Sequence, residues 1–209
     1  MTVTAPPTLD RLARPGTGTF AMVAMDQRES LRTMLREESH PADDAALVSF
    51  KLDVAAVLAP LASAFLIDRY YGYPELVSTR PLPAGCGLIL AVDALTQPPG
   101  GPVEDTDLDE AVDVDQARRD GVVALKLLVI WKRDGHEDRR VATAERFVAL
   151  CRRAGLLSVL EPVAVAAPAS GTSTSTRPSS TPPPRSGRSD RTSTRGRCPT
   201  GARATSTTW

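Results

Sequence analysis

GVVALKLLVIWKRDG, residues 121–135, decides how this chain folds. From Val122 to Trp131 the run is apolar and rich in β-branched residues, broken only by Lys126. A run this short and this apolar reads as a strand buried on both faces, the condition of strands in parallel sheets. Downstream, Val141, Ala144, Phe147, Val148 and Cys151 fall on one face of a helix predicted over Val141–Arg153. Gly155 stands where a C-cap glycine belongs. Leu156–Leu160 then forms a second apolar strand, predicted to be buried and closed by Glu161 and Pro162. Strand, helix and strand make a βαβ unit with a right-handed crossover.

Working outward, the same alternation recurs. Thr19–Met25, Ala64–Ile67 and Gly87–Val92 are further apolar strands, and Ser30–Arg36, Ala45–Leu61 and Val112–Arg119 have helical patterns between them. Thr96–Asp109, rich in Pro, Gly and acid, reads as a loop. The predicted fold class is α/β, with five strands. Four of them end in a carboxylate, Asp26, Asp68, Asp93 or Glu161, and the remaining one carries Lys126. Polar groups at the C-terminal ends of strands are where α/β folds build their sites. Such a carboxylate also caps a following helix, and a strand lysine can simply emerge at the rim, so each position has a structural reading beside the functional one. An unpaired lysine inside an apolar strand is costly. Glu161 is the partner predicted for Lys126.

Composition excludes other classes. The 209 residues suffice for one ordinary domain with a core. Residues 1–163 hold 18 Lys+Arg against 24 Asp+Glu, and residues 164–209 hold seven Arg and one Asp. No window reaches the roughly 18 apolar residues of a membrane span, and no secretion signal is legible. Cys86, Cys151 and Cys198 are odd in number and far apart, giving neither a disulfide framework nor metal-ligand spacing. The expected setting is cytoplasmic, with no metal or other cofactor, no membrane and no nucleic acid as partner. Isolated arginines with a single aromatic, Trp209, make a poor nucleic-acid arm. His40 and His136 form no triad with a serine, and no GxxxxGK loop is present.

GTFAMVAMDQRESLRTML, VSFKLDVAAVLAPLASAFLIDRYYG, ALKLLVIWKRDGHEDRR and GLLSVLEPV, between residues 17 and 163, together resemble the class I aldolases of the tagatose-bisphosphate and sulfofructosephosphate group. The indole in ALKLLVIW is closer to the sulfofructosephosphate branch. The resemblance implies a (β/α)8 barrel, of which this chain holds about five βα units. It also implies cleavage of a ketose phosphate to dihydroxyacetone phosphate and an aldehyde through a lysine Schiff base. By resemblance, Lys126 matches the second active-site lysine and Glu161 the acid/base or orienting carboxylate. Asp26, Gln27 and Arg28 match the substrate-contacting segment after the first strand, and Lys51 and Asp68 fall in matching segments as further substrate-binding candidates. The implied partner is a small sugar phosphate, and an intact relative leaves a homo-oligomer open. The alternative is a non-catalytic remnant that binds a sugar phosphate or a protein partner.

The family's Schiff-base lysine belongs to a sixth strand of the type Leu-Tyr-Lys-x-Glu-Val-Pro, whereas the last lysine here is Lys132. Ala166–Trp209 contains no Leu, Ile, Val, Phe, Met, Tyr, Lys or Glu, and 19 of its 44 residues are Ser or Thr. Residues 164–209 are therefore expected to be disordered. An open five-stranded piece also leaves a sheet edge unpaired, which predicts marginal folding. The composition of the tail is that of a G+C-rich message read out of register. One permitted set of codons for Thr194–Gly201, ACA AGG GGG AGG TGC CCT ACG GGG, read from the last base of the first codon, encodes Lys-Gly-Glu-Val-Pro-Tyr-Gly. The same frame across Thr192–Thr194 allows Asp-Leu-Tyr just ahead of it. The nucleotide sequence tests this reading: a lysine codon straddling positions 194 and 195, in an open shifted frame, is expected. A stop or a different codon there rules it out.

Overall fold

In the computed structural model, residues 8–79, 82–99 and 101–165 are described. The expected disorder of 164–209 falls, from residue 166 onward, outside them. Strand β1 is Met22–Met25, followed by helices α1, Glu29–Glu37, and α2, Asp44–Leu58. Strand β2, Ala64–Asp68, leads into helix α3, Tyr73–Thr79, and strand β3 is Gly87–Ala91. Strands β4, Asp93–Thr96, and β5, Asp105–Leu108, form an antiparallel hairpin. Helix α4, Val114–Arg119, strand β6, Val122–Trp131, helix α5, Glu137–Ala154, and strand β7, Leu157–Ala164, complete the order. Strands β1-β2-β3-β6-β7 pair in that order, all parallel, as a curled half-barrel sheet.

Side-chain alternation gives this sheet two apolar faces. Phe65, Ile67, Leu90, Leu125 and Leu127 pack with Leu52, Leu76, Phe147 and Cys151 of the helices. The opposite residues, Ala64, Leu66, Ile89, Ala91 and Ala124, form a second cluster with Leu12 from the N-terminal segment. Strand β6 is buried from Val122 to Leu127, as its sequence predicts. Helix α2 starts at Asp43, whose carboxylate accepts a 2.8 Å hydrogen bond from the Ala46 amide. Helix α5 ends at Gly155 in the left-handed conformation (φ 67°), with the Leu156 amide donating back to the Cys151 carbonyl at 2.9 Å.

Three expectations need correction. The Thr96–Asp109 segment is not a plain loop, since residues 105–108 pair back onto 93–96. Its aspartates are poor strand formers alone, and contacts from outside hold the hairpin. The Thr106 hydroxyl donates to the Leu128 carbonyl at 2.7 Å, and Arg139 of α5 pairs with Asp105. Helix α3 was not foreseen, because Pro74 and two β-branched residues, Val77 and Thr79, hide its pattern. Strand β7 is longer than predicted, runs through Glu161 and Pro162, and is exposed rather than buried along most of its length. It pairs with β6 on one side and, among the described residues, with nothing on the other. An edge position tolerates Pro162, which has no amide hydrogen to offer a neighbour.

Phe147 is fully buried between α5 and the sheet. Phe147→Ala is expected to lower unfolding free energy by about 3–5 kcal/mol in urea titration. Met34→Ala, at a half-exposed site on α1, should change it by less than about 0.5 kcal/mol.

Candidate active site

Register brings the chemistry together. Asp68 pairs with Ala91, Ala91 with Lys126 and Lys126 with Val159, so one row of the sheet crosses the middle of β6. Asp26 follows β1 one residue beyond the Met25–Ile67 pair, Asp93 lies two residues beyond Ala91, and Glu161 two beyond Val159. With a period of two, these residues share a face at the C-terminal end of the sheet. The Lys126 ammonium lies 2.7 Å from Asp26, 2.8 Å from Glu161 and 3.2 Å from Asp93. The predicted Lys126–Glu161 pair is present, and two further carboxylates join it. The lysine side chain is 3% exposed and that of Glu161 is 53% exposed, so the cluster is sealed below and open at β7.

A second layer lies on this one. The Arg28 guanidinium donates to Asp93 at 2.7 Å and stacks on the Tyr70 ring, 4.6 Å from its centroid. Arg69 covers the same ring at 4.4 Å. The Tyr70 hydroxyl donates to Asp109 at 2.7 Å, and Asp109 also pairs with Arg69 at 2.5 Å. Lys51 reaches from α2 to Asp68, and both are fully buried. Asp68 is further occupied by the amides of Tyr70 and Tyr71, at 2.8 and 3.0 Å. Neither Lys51 nor Asp68 therefore presents a polar atom to solvent. Gln27 is exposed and makes no hydrogen bond among the described residues.

The sequence reading placed Asp93 among the strand-end carboxylates without giving it a role, and missed Arg69, Tyr70 and Asp109 altogether. The Tyr70-Tyr71 pair directly after a strand-end aspartate was the one available signal. Asp109 had none, because the hairpin that delivers it was read as a loop.

Burial opposes the charge on both inner lysines, and the neighbours decide the outcome. At Lys126 the carboxylates of Asp26 and Asp93 outweigh desolvation and hold the amine well above its ordinary value. At Lys51 desolvation prevails over the attraction of Asp68, and the value falls. At Asp109, burial pushes upward, but the hydrogen bonds from Arg69 and Tyr70 prevail and keep the carboxyl below its usual range. Lys126 is thus a fixed cation at neutral pH.

The sequence of this chain has relatives among known proteins. Residues 20–174 match the DeoC/LacD family aldolase. This chain belongs to that family. Over 149 residues it is 30% identical to a tagatose 1,6-diphosphate aldolase of Listeria monocytogenes, covering 70% of this chain and 43% of the relative. The protein of the same name from Listeria innocua matches equally. Tagatose 1,6-diphosphate aldolase 2 of Enterococcus faecalis is 30% identical over 126 residues, 60% of this chain and 37% of that protein. The chain thus spans less than half the length of these relatives of the aldolase family. Among the described residues, no helix is long and apolar enough to cross a membrane.

Lys126→Met leaves Asp26 and Glu161 without their cation and Asp93 with Arg28 alone. A loss of about 3–5 kcal/mol of unfolding free energy at pH 7 is expected, as for one removed partner of a buried pair. A folded value raised above the ordinary 10.5 stabilises fully below that pH and is lost as pH climbs through the higher value. The difference between wild type and variant should therefore stay constant from about pH 6 to 9 and shrink only under stronger alkali. Denaturant titration at three pH values checks this.

Proposed function

We propose that this chain carries the electrostatic part of a class I aldolase site acting on a ketose phosphate of the tagatose-bisphosphate or sulfofructose-phosphate type. The observation that supports it most is the Lys126 ammonium held against Asp26, Asp93 and Glu161 at the C-terminal end of a parallel sheet. In a retro-aldol step a base takes the proton of the hydroxyl, the carbon–carbon bond breaks to release the aldehyde, and the electron pair moves into an iminium. Glu161 suits the proton transfer, because it is half exposed and 2.8 Å from a fixed cation. Lys126 suits stabilisation of developing negative charge on oxygen. Asp26 and Gln27 border the space where the sugar chain would lie. Arg28 offers a planar guanidinium to the anionic group of the substrate. Lys51 and Asp68 support the floor on which Arg28 and the two tyrosines rest.

The amine that forms the iminium is a different matter. A Schiff-base lysine needs an unprotonated, reachable amine. Lys126 is held protonated, Lys51 is fully buried against Asp68, and Lys132 sits 3.9 Å from Asp134, beyond the end of β6. On this reading the nucleophile belongs to the shifted frame near position 195, and the chain as written binds substrate without turning it over. A soluble cytoplasmic protein fits this role.

Incubation with dihydroxyacetone phosphate and borohydride, followed by mass spectrometry, tests the proposal. Reversible binding with no reduced adduct on any lysine is expected. An adduct on Lys126 makes it the nucleophile and overturns its assignment as a cation. Absence of binding at millimolar ligand removes the aldolase reading in favour of a remnant with another partner.

A further inference from the structure

Asp93 occupies a place that no other carboxylate among the described residues shares. One oxygen accepts from Arg28 at 2.7 Å, and the other accepts from Lys126 and from the Leu128 amide, each at 3.2 Å. Its backbone carbonyl accepts a second bond from Arg28 at 3.0 Å. Asp26 and Glu161 touch Lys126 alone. We propose that Asp93 is a positioning residue of the site, the carboxylate that fixes the Arg28 guanidinium and the Lys126 ammonium relative to each other.

The local fold gives Asp93 little freedom. The Val92 amide donates to the Lys126 carbonyl at 2.9 Å, and the Val92 carbonyl accepts from the Asp109 amide at 2.8 Å. The residue before Asp93 is thereby tied both to β6 and to the end of the hairpin. The Asp93 side chain is 3% exposed, whereas Glu161 is half open to solvent. A carboxylate that must move a proton needs access to substrate, while one that sets geometry needs immobility, and Asp93 has the second property.

Arg28 and Lys126 are like charges brought close together in a buried place. Their repulsion favours expelling one of them or removing a proton from the lysine. A shared carboxylate between them removes that tendency and sets their spacing. Arg28 also keeps an unfilled donor. Its Nε is buried without an acceptor, 3.8 Å from the nearest Asp68 oxygen, and its side chain is 10% exposed. One nitrogen is locked on Asp93 and one face on Tyr70, which holds Arg28 beside the Lys126 cluster at the C-terminal end of the sheet. The aldolase reading places the substrate's anionic group there, and the ligand half of the test below rests on that reading.

The chain has three lysines, Lys51, Lys126 and Lys132, so their ammonium signals can be followed singly in 15N-labelled protein. In Asp93→Asn, Lys126 is expected to bind its proton at least about tenfold more weakly, roughly one pH unit. Affinity for dihydroxyacetone phosphate, measured by calorimetry, should fall about tenfold. Arg28→Met should weaken the ligand as much without lowering the Lys126 titration, whereas general loosening of the structure would lower it in both variants. A wild-type Lys126 titration in folded Asp93→Asn overturns the proposal. Should that variant not fold, Asp93→Glu decides: its carboxylate keeps Lys126 charged but is displaced by one methylene, so ligand affinity must fall, and unchanged affinity refutes the role. Wild-type protein that ignores dihydroxyacetone phosphate refutes the aldolase reading instead, and the titration then judges Asp93 alone.

Discussion

A charged lysine in the middle of a buried parallel strand is the constraint on which this structure turns. The backbone of β6 is held on both sides, so Lys126 cannot move out of the sheet to find water. Its charge has to be met where it stands. Three different strands or strand ends meet it, because only the C-terminal end of the sheet brings Asp26, Asp93 and Glu161 within reach of one ammonium. That meeting requires the sheet order β1-β2-β3-β6-β7, the parallel register and enough curl to bring the β1 and β7 ends toward one lysine. Removing any one of these conditions leaves a buried charge unmet.

The two inner lysines show how neighbours set chemistry. Both are buried, yet one is driven up and the other down. Lys126 has three carboxylates around it and Lys51 has one, already shared with two backbone amides. The same residue type is therefore a permanent cation in one place and a sealed structural group in the other. The outer layer extends the network. Arg28, Tyr70, Arg69 and Asp109 link the cluster to the residue that follows the β4–β5 hairpin, so a segment remote in sequence bears on the site.

Among the described residues, the sheet ends in two edges. Strand β7 exposes Leu160 and Val163, and on the other side Phe20 and Met22 are exposed next to β1. Unpaired parallel edges with apolar residues are uncommon in α/β folds, which cover or close them. The relatives of the aldolase family are more than twice as long as the stretch they share with this chain.

Much of this was legible in the amino-acid sequence. The apolar run Val122–Trp131 could only be a strand buried on both faces, Gly155 could only end a helix cheaply, and carboxylates stood at four strand ends. Local pattern and propensity carry that information, since they depend on neighbours along the chain. The sequence also singled out Lys126, because a charge inside such a run is expensive anywhere. Tertiary structure alone decided the rest. That Asp93 bridges two cations, that Lys51 is sealed by Asp68, that 105–108 folds back as a strand, and that β7 pairs with β6 all depend on which residues distant in sequence become neighbours in space. Ionic and hydrogen-bond partners act over a few ångströms, and no spacing along the chain encodes a distance between Arg28 and Asp93, 65 residues apart.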